Sequence, residues 1–93
     1  MDRGRTFEWD EAKAMSNIAR HRLPFIDAIA VFLDPERVDF DVSRPEDGET
    51  RRKVVGRLEI GLVSVVYTPR GEAVRIISAR RANASEERRH GDG

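Results

Sequence analysis

The sequence contains no cysteine. Disulfides, thiolate metal sites and cysteine nucleophiles are therefore excluded, which fits a reducing compartment. No apolar run approaches the roughly 20 residues that a membrane-spanning helix needs, and charge begins at the second residue, so a soluble cytoplasmic protein is expected. There is no internal repeat, no Gly-rich phosphate loop, no nucleophile motif and no His/Asp/Glu cluster at metal-ligand spacing. Neither a metal nor any other cofactor is expected. With 93 residues, the chain has room for one small domain over 1–93, with a limited core.

Net charge is also lacking, which at first argues against a nucleic-acid partner. The average conceals a division. Residues 1–50 carry 7 Lys/Arg against 12 Asp/Glu, whereas residues 51–93 carry 10 against 5. A basic sheet face over acidic helices would suit phosphates on one side and a cationic partner on the other, unless the halves simply neutralise each other within the fold.

The densest positive charge outside the tails lies on the best strand signal, Val74-Arg-Ile-Ile-Ser-Ala-Arg-Arg-Ala82. A strict two-residue period puts Arg75, Ile77, Ala79 and Arg81 on one face, with Val74, Ile76, Ser78 and Arg80 on the other. Both faces are apolar in mid-strand, as expected of a strand inside a sheet. Any one of Arg75, Arg80 and Arg81 is as readily a solvated strand-end charge or an ion-pair partner. Three together point to guanidinium groups held free on an exposed sheet surface.

Met1 to Arg5 is charged and expected to fray, and Phe7 to Asp10 reads as a short strand bringing the only Trp to the core. Asp10 has the form of an N-cap for a helix over about 11–20. Ala12, Met15, Ile18 and Ala19 form its apolar side, and Lys13, Asn17 and His21 a polar row that would suit a phosphate or a partner, although such a row is ordinarily a solvated face. Pro24 suits the first position of a second helix, whose stripe is Phe25, Ala28, Ile29 and Phe32, and Asp34-Pro35 ends it. Val38 to Val42 alternates as a half-buried strand, and the acidic segment Ser43 to Thr50 reads as a mobile loop. A three-stranded meander follows over 51–57, 62–68 and 73–80, with a turn at Thr68-Pro-Arg-Gly71. Asn83-Ala-Ser-Glu86 is a capping box opening a last helix, too short to persist without packing. The expected fold is α+β: an N-terminal helical hairpin on a mainly antiparallel four- to five-stranded sheet, with a short C-terminal helix.

The opening Phe7-Glu-Trp-Asp10 with Lys13, Asn17 and His21, then Phe25, Ala28, Phe32, Asp34-Pro35, Gly56, the block Arg75-Ile-Ile-Ser-Ala-Arg-Arg-Ala82 and Glu86, resembles the BrnT family of type II toxin-antitoxin toxins. The resemblance covers residue 7 to about residue 90. It implies a RelE-like fold and a ribonuclease that blocks translation until a BrnA-like antitoxin with a ribbon-helix-helix domain masks it. It further implies a hetero-oligomer that reaches operator DNA only through the antitoxin. The chain departs from the family pattern at Arg22, where glycine is usual, at Pro24, where a small polar residue is usual, and at His90, where tyrosine is usual. Glu49 and Arg51 keep the family's Glu-x-Arg.

Cutting RNA without a metal requires the 2′-hydroxyl to lose a proton, the 5′-oxygen to gain one, and the added phosphorane charge to be neutralised. Arginine suits the last task, because its planar guanidinium stays charged and can hold two phosphate oxygens. The candidate catalytic set is Arg75, Arg80, Arg81, Glu86 and His90, and Lys13, Arg51, Arg52 and Lys53 are candidate RNA-binding residues. Glu86 and His90 rank first for acid-base work because they follow the arginine block, with His21, Lys53, Lys13 and Glu49 also eligible. The capping role explains Glu86 equally well. The competing account is a binding module without catalysis, acting by ribosome occupancy or as the co-repressor half of a DNA-binding complex.

Overall fold

A computed structural model describes residues 6–92, so the charged stretch Met1 to Arg5 lies outside the described residues. Five strands form one sheet: β1 Thr6–Glu8, β2 Val38–Asp41, β3 Arg52–Leu58, β4 Gly61–Arg70 and β5 Ala73–Arg81. Their order is β1-β5-β4-β3-β2, antiparallel throughout except for β1 alongside β5. Helix α1 spans Glu11–His21, α2 is a single turn over Phe25–Ala28 that continues as a 3₁₀ turn over Ile29–Leu33, and α3 spans Ala84–Asp92. The fold is α+β. Among the described residues, no helix is long and apolar enough to cross a membrane.

The meander forms where punctuation breaks the apolar alternation. Glu59 and Ile60 turn β3 into β4, and Gly71, in the left-handed region at φ 59°, turns β4 into β5. Pro69 lies within β4 rather than in the turn. It is tolerated because the β3 pairing has already ended at Tyr67, so its missing N–H breaks no bond to that neighbour.

One sheet face carries Val54, Val63, Val65, Tyr67, Val74, Ile76 and Ala79 against α1, α2 and the 3₁₀ turn. The expected stripe changes there. Phe25, Ala28, Val31 and Phe32 are buried and Ile29 is only partly so, because three residues per 3₁₀ turn carry Val31 inward. Val31 rests on Gly56, where an added Cβ would lie 2.8 Å from the Val31 carbonyl oxygen.

Helix α1 begins as expected, with the Asp10 carboxylate accepting from the Lys13 N–H at 3.0 Å. Its buried face is not the expected one. Ala14 and Asn17 are buried, while Met15 is 70% exposed and Ile18 44%. The reason is polar. Asn17 Nδ2 donates to Leu23 O at 2.9 Å and to Ala79 O at 2.8 Å, and its Oδ1 accepts from Ala79 N at 3.1 Å. Strand β1 pairs with β5 only through residues 73–75, so the Asn17 amide takes the place of a neighbouring peptide further along that edge. Arg22 closes the helix at φ 57°, its N–H bonding Ile18 O at 2.8 Å. Glycine suits such a cap best, and the Arg22 side chain is held there at a cost of roughly 1 kcal/mol. Pro24 is the N-cap of α2, one position earlier than expected.

The segment expected to be a mobile loop is tied down. It contains a 3₁₀ turn over Pro45–Asp47, and the Ser43 hydroxyl accepts from Arg51 N at 2.7 Å while donating to Asp41 Oδ1 at 2.6 Å.

Helix α3 has no large apolar side chain and is fastened by polar contacts. Its capping box is present, with Asn83 Oδ1 accepting from Glu86 N and Glu86 Oε1 accepting from Asn83 N, both at 2.9 Å. The Arg89 guanidinium stacks 3.7 Å from the centre of the Phe40 ring, and His90 Nε2 lies 2.9 Å from Asp34 Oδ2. The helix contacts β3 on the sheet face away from the core helices. Val55, Ser64 and Thr68 on that face are buried, whereas Lys53, Val66, Arg75, Ser78 and Arg80 are partly exposed, and this less covered side is the open face.

Candidate functional site

Strict alternation would put Arg75 and Arg80 on opposite faces of β5. The structure places them together. Val66 pairs with Ser78 and Tyr67 with Ile76, which leaves Ile77 as an extra residue opposite no partner. This β-bulge resets the alternation, as bulges do when they re-aim side chains. Val74, Ile76, Ala79 and Arg81 share the helix-covered face, and Arg75, Ser78 and Arg80 share the open one. The expected grouping of Arg75 with Arg81 is therefore corrected.

On the open face Glu86 is the hub. Its Oε1 and Oε2 accept from Arg80 Nη1 and Nη2 at 2.9 Å each, and Oε2 accepts from Lys53 Nζ at 2.7 Å. Burial would raise this carboxyl, but the bonds from Arg80, Lys53 and the Asn83 N–H outweigh it and hold it at about 2. At neutral pH Glu86 is thus an ionised anchor rather than a proton donor. Two cations on one carboxylate leave net positive charge, and a guanidinium has five N–H donors, not all of them used here. Arg75 Nη1 lies 3.2 Å from Glu8 Oε2 on the neighbouring strand. Beside this cluster a shallow cleft runs over Val66, Ile77 and Ser78, walled by Lys53, Arg51 and Arg44. Arg51 pairs with Glu49 at 3.2 Å, and Arg44 with Asp47 at 3.4 Å.

The expectation of free guanidinium groups is corrected by these pairs. Arg75 and Arg80 each face one of the protein's own carboxylates, yet their side chains remain 28% and 35% exposed. They are paired without being sealed off.

Four of the expected residues, Arg81, Arg52, His90 and Lys13, lie elsewhere. Arg81 is on the helix-covered face, with Nη1 donating to Ile60 O at 2.7 Å. Arg52 is on that face too, with Nε 2.6 Å from Asp39 Oδ1, and the Tyr67 hydroxyl donates to the same carboxylate. Burial and the Asp39 bond push Tyr67 up to about 12, so it is no proton donor near neutrality. His90 is buried against Asp34 at the far end of α3. Burial would raise the Asp34 carboxyl, but bonds from His90 and from the Glu36 and Arg57 N–H groups hold it below its usual range. His90 therefore fastens α3 to the 34–37 turn, and the structure does not bring it to the arginines.

Lys13 lies in a second cleft, between α1 and β5, lined by Ser16, Asn17, Arg20, His21, Ile77 and Ser78. His21 was ranked behind His90 as a proton carrier, yet it is the exposed imidazole and His90 the buried one. The helical spacing of Lys13, Asn17 and His21 marked this row, but only the contact of Asn17 with the strand edge reveals that it flanks β5. Among the described residues, no group of three or more His, Cys, Asp or Glu side chains is placed to hold a metal ion.

A family model described as the ribonuclease toxin BrnT of type II toxin-antitoxin systems matches residues 9–86. No curated protein matches the chain.

Proposed function

Because the chain belongs to the BrnT family of ribonuclease toxins of type II toxin-antitoxin systems, we propose that RNA is cut on the open sheet face, by a route that uses no metal ion. The observation that carries this is the bulge at Ile77, which gathers Arg75 and Arg80 on one side with Lys53 and Glu86. The substrate's 2′-oxygen attacks the adjacent phosphorus as its proton passes to solvent water, and the bond from phosphorus to the 5′-oxygen breaks as that oxygen takes a proton from water. The products are a 2′,3′-cyclic phosphate and a 5′-hydroxyl. Arg75, Arg80 and Lys53 hold the phosphorane charge, and Arg51 steadies the flanking backbone. Glu86 acts as a positioning residue, fixing Lys53 and Arg80 relative to each other.

A BrnA-like antitoxin with a ribbon-helix-helix domain covers this face in the cytoplasm and carries the complex to operator DNA, in keeping with a RelE-like arrangement. The basic second half of the chain supplies the charge for such a lid. Purified protein incubated with end-labelled RNA in excess EDTA is expected to yield fragments ending in 2′,3′-cyclic phosphate.

One observation favours a second reading: Arg44, Arg51, Arg75 and Arg80 all pair with the protein's own carboxylates. Intact RNA at high protein concentration, with translation still blocked, would establish a module that acts by occupancy or as a co-repressor.

A further inference from the structure

We propose that the cleft between α1 and β5 is a second binding site for RNA, holding backbone phosphates of the strand as it leaves the open face. This rests on the reading of that face as the RNA surface. Ile77 and Ser78 line both clefts, so the two adjoin across the bulge. The α1 wall presents Lys13, Arg20 and His21. Positions seven residues apart lie about 10 Å apart along a helix axis, a span the long Lys13 and Arg20 side chains can bracket.

Charge distinguishes this cleft from the open face. No carboxylate lines it, and neither Lys13, Arg20 nor His21 has an ion-pair partner among the described residues. Cations without carboxylate partners on a rigid wall give up only hydration and counterions when a phosphate arrives. The wall is rigid because the Asn17 amide bonds both the N–H and the carbonyl of Ala79, fixing α1 against the strand that carries the bulge. An acidic peptide would satisfy the same charges. RNA is favoured because the cleft is continuous with the face that holds the arginine cluster.

The test is fluorescence anisotropy with a labelled twelve-nucleotide 2′-O-methyl RNA, which cannot be cut, over a range of KCl concentrations. For Lys13→Ala/Arg20→Ala, affinity at about 0.1 M salt should fall roughly tenfold, and the slope of log K against log salt should flatten by about 1.4, from two lost single-strand phosphate contacts. Both side chains are exposed, so the melting temperature should hold. If it falls, Lys13→Gln and Arg20→Gln should each flatten the slope by about 0.7. A wild type that binds and cuts RNA, with a double variant within twofold in affinity and unchanged in slope, overturns this inference and leaves the open-face reading intact. Loss of antitoxin binding with RNA affinity unchanged overturns it in favour of a protein partner. A wild type that neither binds nor cuts RNA sinks both readings.

Discussion

Gly56→Ala is expected to cost about 3 kcal/mol of folding stability, a large share of what a domain of this size has. An added methyl group would lie 2.8 Å from the Val31 carbonyl oxygen and 2.9 Å from the Val31 Cβ. The first of these atoms is backbone, so no rotamer change relieves the contact. Val31 is fully buried in the 3₁₀ turn, and moving it would lift Phe32 and Ala28 from the sheet as well. Reduced entropy of the unfolded chain returns less than about 1 kcal/mol. Urea titration of Gly56→Ala beside Gly91→Ala checks this. Gly91 is a helical position with nothing within 4 Å of the added atom, where alanine should be neutral or mildly stabilising. Equal midpoints for Gly56→Ala and wild type would mean that the turn does not rest on β3 as described.

A loss of similar size, again about 3 kcal/mol, is expected for Asn17→Ala. The amide is 5% exposed and makes three bonds, two of them to Ala79. Alanine leaves the Leu23 and Ala79 carbonyls and the Ala79 N–H unpaired at a largely buried edge, each costing about 1–3 kcal/mol, relieved in part by water entering the adjoining cleft. Asn17→Asp is the sharper variant. Its carboxylate still accepts from Ala79 N but sets a charge against two carbonyl oxygens, so it should be at least as unstable as alanine. An aspartate variant as stable as wild type in urea would contradict the assigned bonding.

These two positions also show what could be read from the chain and what could not. The meander and the Asp10 and Asn83 caps were legible because glycine, proline and capping side chains act locally. The buried face of α1 was not, because hydrophobicity pointed to Met15 and Ile18, whereas an amide with two bonds to the strand edge and one to Leu23 decides the packing. Gly56 belonged to the family resemblance without a reason, and the close approach of Val31 supplies one.

The site was half legible. Arginines at the end of β5 were visible in the sequence, but their faces were not, since no glycine marks the bulge and the adjacent Ile76 and Ile77 fit an ordinary buried strand. One isoleucine turns inward and the other sits at the junction of two clefts. Glu86 and His90 both follow the arginine block in the sequence, but long-range pairing with Lys53 and Asp34 decides what each contacts, and only Glu86 meets Arg80.

The bulge assigns Arg75 and Arg80 to the face proposed to bear RNA and Arg81 to the other. The direct measurement is the single-turnover cleavage rate of Arg75→Ala, Arg80→Ala and Arg81→Ala, each confirmed as folded by its melting temperature. Rates about tenfold or more below wild type for the first two, with Arg81→Ala within about twofold, are the predicted result. Equal losses at Arg80 and Arg81, or an Arg80→Ala variant as fast as wild type, would contradict it.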